Sequence, residues 1–340
     1  MDELAQKDIL SSETGFAEDA DEFPTMEFVI KVMTFNMKYG TPGDQYPQWG
    51  ARKDIVIDMI REYCPDVIGT QEGFRFQLDD ISAALPNYDY LGVGRDDGLE
   101  EGEHAAIFYR VDKMIPREYG NFWLSDNPQI PGSNTWRGNC RRIVTWVLFS
   151  SLEKGVDFCL FNAHFDFNEE IKTKSAHLVN RMIRRFGIKA PVILVGDLNC
   201  TEHSPTFKYL RRNFEDSWSA SGNHYGVGTV HGFTGKASYM IDWILYRGDM
   251  KATKAEIGTF NVDGRYPSDH FPVIAELRIT PKNLVAQLLF WQNEAQKLGI
   301  DPLKVVPEAG TESTHDEIGR ELDIREKIQI LKSKTKCHLK

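Results

Sequence analysis

Short apolar runs, each bounded by polar or turn-forming residues, recur along the chain between residues 28 and 277. The run at 192–195 is unbroken and rich in β-branched residues, which is typical of a strand buried on both faces. Elsewhere apolar side chains recur with helical spacing, as at Ile55 and Met59. The pattern predicts strands at 28–35, 66–70, 88–93, 105–109, 115–123, 142–149, 156–163, 191–195, 241–246 and 271–277. It predicts helices at 50–64, 74–84 and 169–186, and therefore an α/β protein with many strands and few helices.

Polar side chains stand at or beside the ends of these predicted strands. Asp197 and Asn199 follow the strand at 191–195 two positions apart, so in an extended segment they project on the same side. Ligand sites favour this edge of a layered sheet protein. Carboxylate and amide oxygens suit Mg²⁺ or Mn²⁺, whereas histidine and arginine suit a phosphate under attack. The full set is Asn36, Glu72, Arg142, His164, Asp197, Asn199, Asp242, Asp269 and His270.

Each member of this set, taken singly, also fits a structural role. Asn36 fits a strand-end cap, Glu72 a surface acid, and His164 or His270 a hydrogen-bonded structural histidine. Taken together, they indicate metal-assisted hydrolysis of a phosphoester.

Charge is distributed unevenly along the chain, whose formal net charge is −10. Residues 1–25 carry eight acids and one base, which predicts a solvated, disordered acidic tail. Residues 281–340 carry ten bases and nine acids, with predicted helices at 284–298 and 313–333, and form a helical C-terminal extension. Residues 26–280 therefore make up the predicted catalytic domain, with a charge of only −4. That balance lacks the basic excess of a dedicated nucleic-acid binder, without forbidding a polyanionic substrate.

The sequence contains no run of about 18 apolar residues, and its N-terminus is acidic, so we expect neither a membrane span nor a signal peptide. Five cysteines without Cys-x-x-Cys spacing indicate neither a disulfide framework nor a zinc site. These features predict a cytoplasmic protein with reduced thiols.

Six short motifs between residues 28 and 278 resemble, in order, those of the endonuclease/exonuclease/phosphatase superfamily, whose members resemble DNase I. They are Thr34-Phe-Asn36, Gly69-Thr-Gln-Glu72, Asn162-Ala-His164-Phe-Asp166, Gly196-Asp-Leu-Asn199, Ile241-Asp242-Trp-Ile and Ser268-Asp-His270. The resemblance covers about three quarters of the chain. It implies a four-layered α/β sandwich of two mostly antiparallel sheets packed face to face, with helices outside.

The resemblance also implies a role for each site residue. Glu72, helped by Asn36 and Asp269, would hold Mg²⁺ or Mn²⁺, and Asp197 would orient or deprotonate the attacking water. Asn199 would hold that water or a phosphate oxygen, and His270, oriented by Asp242, would act in proton transfer or stabilise the phosphoryl oxygens. His164 and Arg142 would bind the phosphate, with Arg141 as the alternative arginine, and Glu103 would orient a histidine. One metal ion is the simpler interpretation, although two are argued for some relatives.

The substrate is left open, because the shared motifs specify only the phosphoester chemistry. The near-balanced charge favours a small phosphorylated compound or a nucleotide. A DNA or RNA nuclease is the alternative, and a catalytically silent scaffold that binds phosphorylated partners is a third possibility. Trp123 and Trp136 lie in a long loop, where they either stack on a base or sugar or anchor the loop.

Overall fold

A computed structural model describes residues 28–40, 47–152 and 156–280, together with residue 296. In chain order the strands are β1 (Phe28–Asn36), β2 (Val67–Gln71), β3 (Tyr88–Leu91), β4 (Ile107–Arg110), β5 (Met114–Trp123), β6 (Ile143–Ser151), β7 (Asp157–His164), β8 (Val192–Asp197), β9 (Glu215–Asp216), β10 (Asp242–Arg247), β11 (Met250–Ile257) and β12 (Val273–Ile279). The helices are α1 (Trp49–Tyr63), α2 (Arg75–Ala84), α3 (Glu169–Arg185), α4 (Pro205–Leu210) and α5 (Ser217–Ala220).

The strands form two six-stranded sheets. The first has the order β11-β12-β1-β2-β4-β3 and the second the order β5-β6-β7-β8-β10-β9. Each sheet is antiparallel except for one central parallel pair, which is β1 with β2 in the first sheet and β7 with β8 in the second. The two sheets therefore have the same arrangement, with a parallel pair at the centre and antiparallel strands on either side.

Alternation along β1 shows how the layers are built. Ile30 and Val32 belong to the large core that includes strands of the second sheet, while Met33 and Phe35 pack with α1 and α2 on the outer side. Successive side chains of a strand point to opposite faces, so one strand serves both layers. On the other sheet, α3 places Leu178 and its apolar neighbours in the large core. The order helix, sheet, sheet, helix confirms the predicted four-layered α/β sandwich.

The sequence pattern located most elements to within a few residues and missed four. These are α4, β9, α5 and β11. Strand β11 escaped because it is an edge strand with several exposed positions and lysines, so its alternation is weak. The other three have six residues or fewer, too few for a periodic signal.

The predicted division into a tail at 1–25, a catalytic domain at 26–280 and an extension at 281–340 stays a prediction. The tail and both predicted C-terminal helices lie outside the described residues, apart from Gln296, which is helical. Within the described part of the chain, no helix combines the length and the apolar character needed to cross a membrane.

Candidate active site

The parallel pairs explain why distant polar residues meet. The carboxyl ends of β1 and β2 lie at one edge of the first sheet, and the amino end of their antiparallel neighbour β12 lies there too. In the second sheet, the carboxyl ends of β7 and β8 lie beside the amino end of β10 in the same way. Since the sheets pack face to face, the polar residues at these ends face one another across the gap.

Asn36, the last residue of β1, joins the two sheets at this edge. Its Nδ2 donates to Glu72 Oε1 at 3.0 Å and to Asp197 Oδ2 at 3.0 Å, so one buried amide holds a carboxylate from each sheet. Its Oδ1 accepts from the backbone N–H of Lys38 at 3.1 Å. The side chain is therefore fixed at both ends, as a positioning group requires.

The carboxylates of Glu72 and Asp269 converge on one cation. Lys38 Nζ lies 3.9 Å from Glu72 Oε2 and 3.4 Å from Asp269 Oδ2. Burial by itself would lower the pKa of Lys38, but these two carboxylates outweigh it and raise the pKa. Ser268 Oγ donates to the Asn36 carbonyl oxygen at 2.6 Å, which ties the segment carrying Asp269 to the end of β1. Two oxygen ligands directed at one positive centre fit a hard divalent ion.

His270 and Asp242 form a buried pair. His270 Nδ1 lies 2.9 Å from Asp242 Oδ2, which also accepts from Thr229 Oγ1 at 2.5 Å. Burial would lower the pKa of His270, but Asp242, then Asp197 and Asp269, raise it to about 10. The ring is therefore an imidazolium that donates a hydrogen bond from Nδ1 to Asp242, and Nε2 is the nitrogen left for a substrate oxygen.

Asp197 carries the features of a general base. Its Oδ1 accepts from the backbone N–H of Asn199 at 3.0 Å, and Asn36 holds Oδ2. Burial, and after it the carboxylate of Asp242, raises the pKa of Asp197 to about 7, so this carboxylate can accept a proton near neutral pH. Asn199 itself adopts a left-handed conformation with φ 49°, and its Nδ2 donates to the Phe165 carbonyl oxygen at 2.9 Å. Its amide oxygen is the end that remains for a ligand.

Among the described residues, Asp197, Asp242 and His270 also bring their ligand-type atoms within 4.8 Å of one another. This group differs from the predicted metal set of Asn36, Glu72 and Asp269. Asp242 Oδ2 is already held by His270 Nδ1 and Thr229 Oγ1, and Asp197 Oδ2 by Asn36 Nδ2. Glu72 Oε2 and Asp269 Oδ2 instead face one cationic group, Lys38, so this pair stays the predicted metal-binding pair.

A small cavity beside Glu72 contains the predicted phosphate-binding residues. It is lined by Arg142 and His164, and also by Arg95 and Glu103. Both predicted residues are buried, at 5% and 7% exposure, and Arg142 lies with its guanidinium carbon 5.7 Å from the centre of the Phe167 ring. Burial, together with the positive charges of Arg142 and Arg95, holds the pKa of His164 well below its usual value, so this ring is neutral.

The predicted histidine-orienting role of Glu103 is wrong. Glu103 Oε2 accepts from Arg95 Nη1 at 2.5 Å, and the acid that hydrogen-bonds a site histidine is Asp242. Burial raises the pKa of Glu103, although the charge of Arg95 opposes the rise. The neighbouring Arg141 points elsewhere, to the Gly132 carbonyl oxygen and Asp96, which favours Arg142 as the arginine of the cavity.

Sequence reasoning missed Arg95 and Lys38. Arg95 lies in a turn-rich stretch between β3 and β4, where no strand end directs attention to it. Lys38 comes two residues after Asn36, and a single lysine in a loop does not by itself indicate a functional site. Only the contacts of their charged groups with Glu103, Glu72 and Asp269 reveal them.

Both tryptophans that the sequence places in the long loop hold that loop in place, although Trp123 is the last residue of β5 and only Trp136 lies in the loop. Trp123 is buried and donates from Nε1 to the Arg95 carbonyl oxygen at 2.7 Å. Trp136 donates from Nε1 to Asp126 Oδ1 at 2.8 Å, within the loop itself. Of the two predicted roles, the structure favours the anchor.

Comparison with known proteins identifies the class. The model of the Endonuclease/Exonuclease/phosphatase family matches residues 33–270, and the chain belongs to this family. This confirms the resemblance drawn from the six motifs.

Individual relatives agree with the family assignment. A family protein of Bacteroides thetaiotaomicron is 34% identical, with a TM-score of 0.70 over 74% of this chain and 98% of that one. The mannosyl-6-phosphatase of the same organism is 34% identical, with a TM-score of 0.69 over 73% of this chain and 99% of that one. The uncharacterized protein L388 of Acanthamoeba polyphaga mimivirus is 31% identical over 205 residues, which span 57% of this chain and 75% of that protein.

Proposed function

We propose that this protein is a Mg²⁺- or Mn²⁺-dependent phosphoesterase that hydrolyses a small phosphorylated compound or a nucleotide by in-line attack of an activated water. The observation that carries the proposal is the amide of Asn36, which holds Glu72 from one sheet and Asp197 from the other at 3.0 Å each. That link sets a metal-ligand carboxylate and a general base at a fixed separation, which is the arrangement that in-line attack requires.

Glu72 and Asp269, with Asn36 beside them, are the residues we propose hold the ion. A bound divalent ion would polarise the phosphoryl oxygen and neutralise its developing charge. Asp197, whose pKa burial and Asp242 raise to about 7, would accept the proton of the attacking water. His270, kept protonated by Asp242, would donate from Nε2 to a phosphoryl or leaving-group oxygen.

Two observations support a small substrate. Residues 26–280 carry 29 bases and 33 acids, so this part of the chain as a whole lacks the excess of positive charge that binds a nucleic-acid backbone. The mannosyl-6-phosphatase of Bacteroides thetaiotaomicron, at 34% identity, is named for a phosphorylated sugar. We carry that chemistry to this chain as part of the proposal, with a cytoplasmic location as its expected setting.

The test is a panel of sugar phosphates, nucleotides and plasmid DNA, assayed with Mg²⁺, with Mn²⁺ and with EDTA. We expect the highest kcat/KM on a small compound, complete loss with EDTA, and a rate that changes little between low and physiological salt. Asp197→Asn protein, purified in parallel, controls for a contaminating phosphatase. Activity that survives EDTA contradicts the metal requirement. Efficient plasmid cleavage that falls steeply with salt identifies a nuclease, and phosphate binding without turnover identifies a scaffold.

A further inference from the structure

The cavity beside Glu72 holds a concentration of buried nitrogen atoms without partners. Among the described side chains, Arg95 Nε, His104 Nε2, Arg142 Nε and both ring nitrogens of His164 are buried and make no hydrogen bond. His164 Nε2 lies 3.4 Å from Asp197 Oδ2, but not in hydrogen-bonding geometry. All four residues line this one cavity. A buried polar atom left unpaired lowers stability, so a cluster of such atoms fits a place where a ligand satisfies them.

The chemistry of these atoms specifies the ligand. Two of the side chains are guanidinium groups, which only donate, so the ligand must present several acceptor oxygens. Arg142 makes no ion pair within 4.0 Å among the described residues, and Glu103 acts on its charge only from a longer distance, so the guanidinium can bind an anion. The enclosed space is about 10 Å³, roughly that of one water molecule, so it receives only the terminal oxygen atoms of a ligand whose other atoms lie outside. This suits the oxyanion end of a larger molecule.

Three hydrogen bonds fix the position of Arg95. Its side chain binds Glu103 Oε2 at 2.5 Å, its backbone N–H donates to the Glu103 carbonyl oxygen at 3.0 Å, and its carbonyl oxygen accepts from Trp123 Nε1 at 2.7 Å. Glu103 uses Nη1 and leaves the buried Nε of this cavity-lining side chain without a hydrogen bond. A planar fork held in this way is preorganised for two-point contact with a phosphate.

We propose that Arg95, with Arg142 and His164, binds the terminal oxygens of a phosphate monoester, and that Arg95 selects monoesters over diesters. This inference rests on the proposed phosphoesterase function. A monoester directs three unsubstituted oxygens at the nitrogen atoms of this cavity and carries a single substituent, which points away from them. A diester carries less charge, offers two such oxygens, and needs space for a second substituent where Ala105 and Ile143 close the wall.

The experiment compares p-nitrophenyl phosphate with bis(p-nitrophenyl) phosphate, which share a leaving group and differ in the second ester. The enzymes are wild type, Arg95→Met, Arg95→Lys and the control Arg141→Met, whose arginine lies next to Arg142 but binds Gly132 and Asp96 instead. We expect wild type to favour the monoester. In Arg95→Met, kcat/KM for the monoester should fall at least tenfold and that for the diester less than threefold. Arg95→Lys should fall between wild type and Arg95→Met, and Arg141→Met should match wild type.

Folding and function are separated by two further measurements. Arg95→Met leaves Glu103 without its partner, so the double variant Arg95→Met/Glu103→Met and the thermal midpoint of each variant show whether a loss reflects unfolding. Inorganic phosphate titrated into wild type and Arg95→Met with Mg²⁺ present reports the cavity without turnover. Equal losses on both esters, or an unchanged monoester rate in a folded variant, overturn the role of Arg95. If wild type hydrolyses neither ester, the proposed function fails, and an unchanged Kd for phosphate in Arg95→Met then overturns the assignment of the cavity as well.

Discussion

At the scale of single residues, the site gathers charges that would repel one another in isolation. Burial is the largest cause of the raised pKa of Asp197, and the nearby carboxylate of Asp242 raises it further. His270, an imidazolium within 4.8 Å of both acids, relieves part of their repulsion. Such an arrangement costs stability and is retained where it supplies proton transfer.

The substitutions Asp197→Asn and His270→Ala test the proposed roles of these residues as proton acceptor and charged hydrogen-bond donor. Asparagine at 197 keeps an acceptor for one of its two neighbours but cannot take a proton, so we expect kcat to fall by about 100-fold to 1,000-fold. Alanine at 270 removes the charged donor and should cost a similar factor. The thermal midpoint should change by only a few degrees in Asp197→Asn, since that variant removes a buried charge. Steady-state kinetics and thermal melts on the same preparations check both statements, and a wild-type kcat in either variant contradicts the assigned roles.

At the scale of elements, one arginine of α1 organises two loops around the site. Arg52 is 1% exposed and donates to the carbonyl oxygens of Met37 at 2.8 Å and Pro267 at 2.7 Å. It also donates to the carbonyl oxygens of Lys38 at 3.1 Å, Tyr39 at 3.3 Å and Pro47 at 2.8 Å. The segment that follows β1 and the segment that precedes β12 are thereby fixed to the same helix. Since these segments carry Lys38 and lead to Asp269, the helix sets the positions of the proposed metal ligands.

Replacing Arg52 by lysine should disturb the site indirectly, through the backbone of the loops that carry its residues. Lysine keeps the charge but has one nitrogen in place of a fork of three, so several carbonyl oxygens lose their donor. We expect an unfolding free energy lower by about 2–4 kcal/mol, and a raised metal concentration for half-maximal activity. Urea denaturation and a Mg²⁺ titration measure the two effects. Lys53→Met, at the next and more exposed position of α1, is the matched control and should change neither.

At the scale of the whole molecule, a buried polar bridge joins the two sheets behind the site. Gln71 Nε2 donates to Asn162 Oδ1 at 2.7 Å across the gap. Asn162 Nδ2 in turn donates to the carbonyl oxygens of Thr70 at 2.7 Å and Ala106 at 2.8 Å. Gly69 permits this approach, because a Cβ there would lie 2.4 Å from Val195 Cγ2. The bridge fixes how one sheet sits on the other, and therefore where the two halves of the site meet.

Asn162→Ala should lower the free energy of unfolding of the whole domain. It leaves a buried amide and two buried carbonyl oxygens with fewer partners, and we expect a loss of about 3–5 kcal/mol, a large part of the roughly 5–15 kcal/mol that a domain has. Asn261→Ala is the control, since Asn261 makes its hydrogen bonds at the surface. Chemical denaturation followed by tryptophan fluorescence compares them. Equal stability of the two variants would show that the bridge contributes nothing.

The sequence by itself determined the class of the fold and predicted most residues of the candidate site. Period-two alternation and unbroken apolar runs record which faces are buried, so they gave the strands β1, β2, β7 and β8 and placed Asn36, Glu72, His164 and Asp197 at their ends. Ordered motifs then indicated the family. These signals can be recognised in the sequence because they are local. Burial and strand ends each produce a pattern of apolar and polar residues among near neighbours in the chain.

Tertiary structure alone decided which partner each charged group has. Glu103 reads in sequence as an acid beside a histidine, yet it binds Arg95, eight residues away, because a turn-rich loop folds back on itself. Arg52 reads as a surface residue of an amphipathic helix, yet it is buried among carbonyl oxygens from two distant loops. Long flexible side chains reach across several ångströms, and what they reach depends on how the layers pack. The contacts of these side chains therefore become visible only in the tertiary structure, because no sequence periodicity shows how close two distant loops lie.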